Sequence, residues 1–93
     1  MKSYSLVFSA SPSTQEVRDT GRGHVDRIVI NHDEVTAQTV SFYDRDGVLL
    51  SQYLVHPNRS PFVVDFGGRR PMWFTNGLDI NTGNCVVSLV VVY

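Results

Sequence analysis

Few residues in this chain are of types and spacings that could do chemistry. Asp44-Arg45-Asp46-Gly47 has the opening of a calcium loop. It lacks the later oxygen ligands and closing glutamate such a loop needs, and apolar alternating runs flank it instead of helices. An Asp-Gly pair between two such runs is first a hairpin turn, because both residues tolerate positive φ. His32-Asp33-Glu34 sets a base beside two carboxylates. Neighbours in a turn rarely converge on one point, and no nucleophile stands near them. His24, His32 and His56 are too dispersed for a zinc spacing. Cys85, the one cysteine, opens an apolar run with no basic neighbour to activate it, so it reads as a small core hydrophobe. Asn58-Arg59-Ser60 matches a glycosylation sequon, but Pro61 follows it and the N-terminus has no signal-peptide pattern. These readings leave no catalytic residue, no metal ligand and no cofactor to expect.

The polar stretch with most binding potential is Gly67-Gly68-Arg69-Arg70-Pro71. Two adjacent arginines on a glycine-hinged loop, close to Trp73, can clamp an acidic protein surface or a phosphate. No helix start follows, so this is not a phosphate loop. The ordinary reading is a hairpin loop with two solvated charges. Trp73 lies between Met72 and Phe74, and that company favours a core position. Arg18 and Arg22, on a polar segment over 11–23, are the other basic residues placed to meet a partner.

The segments that would position these residues read as strands. Tyr4, Leu6, Phe8 and Ala10 alternate with Ser5, Val7 and Ser9. Residues 11–23 form a long polar loop or arm, with at most a helical turn over 14–18 capped by Ser13. Strands follow at 24–30, 35–43 and 48–55, the last two joined through Asp46-Gly47. Pro57 and Pro61 keep 56–61 extended. Phe62, Val64 and Phe66 mark the core side of the next strand, and short strands surround Asn76-Gly77. The run from Cys85 to Tyr93 is apolar on both faces, so it is central in a sheet or covered by a partner chain.

Turn signals every 8–12 residues predict one all-β domain over 1–93, an antiparallel β-sandwich of about seven to eight strands, jelly-roll or immunoglobulin-like. The 93 residues carry 42% hydrophobic and 18% charged side chains, below the ~25% charged of average domains. A net charge of −1 supplies no drive toward nucleic acid or anionic membrane. The longest apolar run is about half of the ~18 residues a spanning helix needs.

Residues 25–93 resemble small β-sandwich structural proteins of tailed bacteriophages, which occur as head decoration or other minor virion components. The likeness rests on Ile28-Val29-Ile30-Asn31, Val40-Ser41-Phe42-Tyr43-Asp44 with Gly47, and Pro61-Phe62. Pro71, Phe74, Gly77-Leu78-Asp79-Ile80-Asn81-Thr82-Gly83 and the valine-rich end at Tyr93 complete it. It is a likeness of turn and core residues, and the segment 11–23 lies outside it. The resemblance implies a non-enzymatic protein, made in the host cytoplasm and carried in the virion. Its partner would be the major capsid protein or other virion proteins, and it would be a homo-oligomer, a trimer among the options. From the reading of the residues themselves, and not from the likeness, the contacts would come from Arg69, Arg70, Trp73, Arg18 and Arg22. Other expectations are a head–tail or tail accessory component, and a host-surface or carbohydrate-binding module.

Overall fold

The structure is a computed structural model that describes residues 2–10, 14–59, 61–67 and 69–93. Nine strands occur among the described residues: β1 (Ser3–Phe8), β2 (Thr14–Arg18), β3 (Gly23–Asn31), β4 (Gln38–Tyr43), β5 (Leu49–Val55), β6 (Phe62–Asp65), β7 (Met72–Phe74), β8 (Leu78–Asn81) and β9 (Val86–Val92). They form two antiparallel sheets packed together, an arrangement compatible with a β-sandwich. The first sheet runs β1-β9-β3-β6, with β7 continuing the β6 edge along β3. The second runs β2-β8-β4-β5.

The pairing is nested. β4 and β5 form the innermost hairpin, β3 pairs with β6 and β7, β2 with β8, and β1 with β9. The chain is thus a long two-stranded ribbon folded over on itself. The hairpin at its tip turns at Asp44–Val48. There the Asp44 carboxylate accepts from the amides of Asp46 (2.9 Å) and Val48 (3.0 Å). Gly47 takes φ 84°, which glycine adopts without the Cβ clash other residues meet. Asp46 itself stays at negative φ, so the turn uses the positive-φ tolerance of one residue of the pair.

Alternation sends one side chain set of each strand inward. Val25, Ile28 and Ile30 of β3 and Val87, Leu89 and Val91 of β9 meet Val40 and Phe42 of β4 and Leu78 and Ile80 of β8, with Met72 and Phe74 closing the edge. β9 lies between β1 and β3, so it is central, as its two apolar faces imply. β3 breaks its own alternation. A bulge between Val25 and Arg27 leaves Asp26 without a register partner on β9, and this lets Val25 and Ile28 both point inward.

Four expectations change. The polar segment 11–23 holds a strand, β2, with Gln15 and Val17 half-buried and its ladder made to β8. An edge strand needs only one partly apolar face, which is why its composition reads as loop. The helical turn read at 14–18 gives way to the same strand, and its cap Ser13 lies outside the described residues, as do Ser60 of the sequon and Gly68 of the arginine loop. The 35–43 strand starts at Gln38, leaving Val35 fully out in solvent. Pro57–Arg59 forms a turn of 3-10 helix where an extended loop was expected.

Cys85 is wholly buried at the base of β9, and its amide donates to the Thr82 carbonyl at 3.0 Å. Burial pushes the thiol pKa above its ordinary 9.0, and the nearby negative charge of Glu34 raises it further. The folded protein is therefore expected to react with a thiol reagent at least ~1,000-fold slower than the unfolded chain, measured as labelling rate with and without denaturant. The unfolded thiol ionises first as pH rises. Stability from this group is hence intact below 9.0 and falls as pH climbs past it toward the raised folded value.

Candidate interaction face

The first sheet turns one face to the core and the other outward, and register defines what the outer face carries. Residues directly opposite in an antiparallel pair share a face. One row across the sheet is Val7, Ser88, Val29 and Val63. The row beside it is Ser5, Val90, Arg27 and Asp65. Next comes Ser3, Val92, His24 and Trp73. Val86, opposite Asn31, extends the surface at the other end. The centre of this face is valine and serine, with one cross-strand pair of opposite charges. Val7 is 71% exposed, Val63 47% and Val86 43%. Sheet faces left to water usually carry polar residues at such positions.

One end of the face is aromatic and polar. Trp73 is 55% exposed, so the core position its neighbours imply is wrong: Met72 and Phe74 point inward and the residue between them must point out. Its ring centroid lies 4.6 Å from that of His24. The bulge brings Asp26 beside the same histidine, with Nε2 to Oδ1 at 3.0 Å. The Asp26 carbonyl accepts from the Phe66 amide, which ties the loop after β6 to the bulge. This His24–Asp26–Trp73 cluster was not singled out from the sequence. Its one trace in the sequence is the charged pair Asp26-Arg27, which falls where the bulge interrupts the register with β9.

The five arginine and tryptophan candidates do not form one patch. β3–β7 pairing brings Arg22, just before β3, to the end of the sheet that holds Trp73, and Arg22 is exposed there. Arg69 and Arg70 are exposed on the excursion between β6 and β7, along the sheet edge. Arg70 has φ 47°, unusual for a residue with a Cβ, and Pro71 follows it. Arg18 is used internally. It is half-buried at the end of β2, with its guanidinium carbon 3.8 Å from the centroid of Tyr93, which stacks on Tyr4 at 4.5 Å. A side chain from the second sheet thus caps aromatics of the first.

Two further polar side chains, His32 and Arg45, tie elements together. His32 Nδ1 accepts from the Glu34 amide at 3.2 Å, so its Nε2 carries the proton and donates to the Val55 carbonyl at 3.0 Å. The imidazole is a clip between the 31–34 turn and β5. It lines an open hollow of about 570 Å³ with Ala10, Asn31, Asp33, Glu34, Asn84 and Val86. Arg45 pairs with Glu16 and Asp79, each at 2.8 Å, and approaches Asp19 at 3.8 Å, linking the hairpin to β2 and β8. Desolvation lowers the guanidinium pKa and the carboxylates outweigh it, leaving it above its ordinary value and charged throughout. Among the described residues no group of three His, Cys, Asp or Glu is placed to hold a metal.

No family model, no curated protein and no solved structure matches the chain.

Proposed function

We propose that this chain is a non-enzymatic structural protein of a tailed-phage particle, a decoration or stabilising subunit that docks on the shell through the outer face of its first sheet. The observation that carries the reading is the valine surface itself. A face centred on Val7, Val29, Val63, Val86 and Val90 gains by being covered, and a partner of complementary shape does so without catalysis. The partner is the major capsid protein or a neighbouring virion protein. Binding only the assembled lattice would stabilise that lattice by mass action, and several copies acting together would add avidity.

Strand order supports this at the level of architecture. Nested pairing of β1 with β9, β2 with β8, β3 with β6 and β7, and β4 with β5 supports a jelly-roll reading of the two sheets, with β6 and β7 sharing one position. An immunoglobulin-like order would not nest in this way. Jelly rolls recur in viral capsid and lectin domains, and a fold by itself assigns no site.

The test is mass spectrometry with copy counting on purified particles. A lattice component is expected at about hundreds of copies, and a head–tail or tail ring component at about a dozen or fewer, as symmetric assembly dictates. Absence from the particle overturns the reading.

Exposed Trp73 favours a second function, carbohydrate binding at the host surface, because an indole held by His24 offers a flat stacking platform. On that reading Trp73→Ala abolishes glycan-array binding, and on the docking reading the wild-type protein shows none.

A further inference from the structure

The geometry points to a two-fold dimer of this chain, formed by pairing β1 with β1 of a second copy, with Ser5 on the axis. The argument starts from hydrogen-bond parity. The Lys2 amide donates to the Tyr93 carbonyl at 2.8 Å, and the Tyr93 amide donates to the Lys2 carbonyl at 2.9 Å. Lys2 and Tyr93 are therefore a hydrogen-bonded pair, and the unshifted register makes Tyr4–Val91, Leu6–Leu89 and Phe8–Val87 the same. The N–H and C=O groups of Ser3, Ser5 and Val7 then point away from β9, along the free edge of the sheet. No described residue pairs with that edge. The next carbonyl, Ser9, is already taken, accepting from Gln15 Nε2 at 2.7 Å and Thr82 Oγ1 at 3.2 Å.

Three residues at alternate positions thus offer one donor and one acceptor each, and the set is its own complement. With the axis at Ser5, Ser5 faces Ser5 of the second copy and Ser3 faces Val7, so every outward group finds a partner. An axis at Leu6 would need the engaged Ser9 instead. An axis between residues would set an outward side chain opposite an inward one, breaking both faces.

Edge strands left this open invite pairing unless something blocks them. The other edges are blocked. β2 carries Glu16, Arg18 and a bulge. β5 has a bulge opposite Phe42–Tyr43, and its Val55 carbonyl is bonded to His32. The β6–β7 edge is interrupted by the excursion bearing Arg69, Arg70 and Pro71. β1, Ser-Tyr-Ser-Leu-Val-Phe, has no charge, no proline and no bulge. Joining two copies here runs the first sheet across the axis and doubles the width of its outer face. The dimer stands whether or not the protein belongs to a virion.

Sedimentation velocity tests it. The wild-type protein is expected to double its mass with rising concentration. Ser5→Lys and Ser5→Asp each place like charges opposite one another and raise the dissociation constant about tenfold or more, whereas their equimolar mixture dimerises again. Ser5 is exposed, so neither variant disturbs the β1–β9 ladder. Amide exchange is the second readout: Ser3, Ser5 and Val7 are protected in the wild type and fast in Ser5→Lys. A wild type that is monomeric at about 0.5 mM, where even a millimolar complex is populated, overturns the proposal. So does an assembly of any order but two, an unchanged dissociation constant in Ser5→Lys, or a mixture that stays monomeric.

Discussion

Gly23→Ala is expected to lower stability by about 3 kcal/mol, the upper end for overpacking a well-filled site. Gly23 opens β3 where three strands meet. It pairs with Phe74 of β7 on one side, and β9 ends against it on the other. A Cβ there would lie 2.5 Å from the Val92 carbonyl oxygen, 2.7 Å from Phe74 Cζ and 2.9 Å from Tyr93 Cβ. None of these can yield cheaply. The carbonyl belongs to the central strand, and Phe74 is a fully buried part of the core. Relief requires prying β3 from β9 at the end where Arg18 caps Tyr93, so the cap is lost with the ladder. For a domain of this size that loss shifts the melting midpoint by roughly 12–24 °C, from about 4–8 °C per kcal/mol. Gly47→Ala is the control. It has φ 84° and nothing within 4 Å of an added Cβ, so it carries only backbone strain of about 1 kcal/mol. Thermal melts followed by circular dichroism separate the two. If Gly23→Ala melts no lower than Gly47→Ala, the close approach at the start of β3 is not as described.

How legible this was from the residues depended on how local the cause was. Tyr4–Phe8, His24–Ile30, Phe62–Asp65 and the valine run at the end announce strands by alternation, β-branching and their bounding turns. Asp46-Gly47 announces its hairpin, because the Asp44 carboxylate and one positive φ act within five residues. β2 could not be seen, since what makes Thr14–Arg18 extended is a ladder to β8 more than sixty residues on. Trp73 misled for a related reason. Three large apolar residues in a row look like core until alternation, fixed by pairing with Gly23–Val25, decides that the middle one faces out. The candidate face was half legible. β9 was readable as apolar on both sides, yet Val29 and Val63 share a row with Val7 and Ser88 only through register, which sequence does not carry. The arginines stand out in the sequence by their charge. Charge alone does not say that Arg18 is stacked on Tyr93 while Arg69 and Arg70 are exposed on an edge loop.

Val29→Lys is expected to leave the folded protein nearly as stable as before and, on the proposed docking, to weaken attachment to the shell by about 30-fold or more. Val29 sits on β3 at the middle of the outer face, between Ser88 and Val63. The change swaps one outward side chain for another, so its cost to folding stays within about 1 kcal/mol, the span of strand propensity. In a docked face the same lysine loses its water and meets apolar neighbours. An unpaired buried charge at an interface costs about 2–5 kcal/mol, and 1.4 kcal/mol is tenfold in affinity. Cosedimentation with particles stripped of the protein measures it. Val48→Lys is the control, since Val48 is 57% exposed at the β4–β5 hairpin of the other sheet and should bind as wild type. Should Val29→Lys also bind as wild type, the valine face is not the docking surface. Attachment would then fall to the exposed Arg69–Arg70 loop. An arginine-led contact weakens steeply with added salt, whereas a valine-led one does not. A salt titration of the wild-type complex therefore separates the two surfaces before any further variant is made.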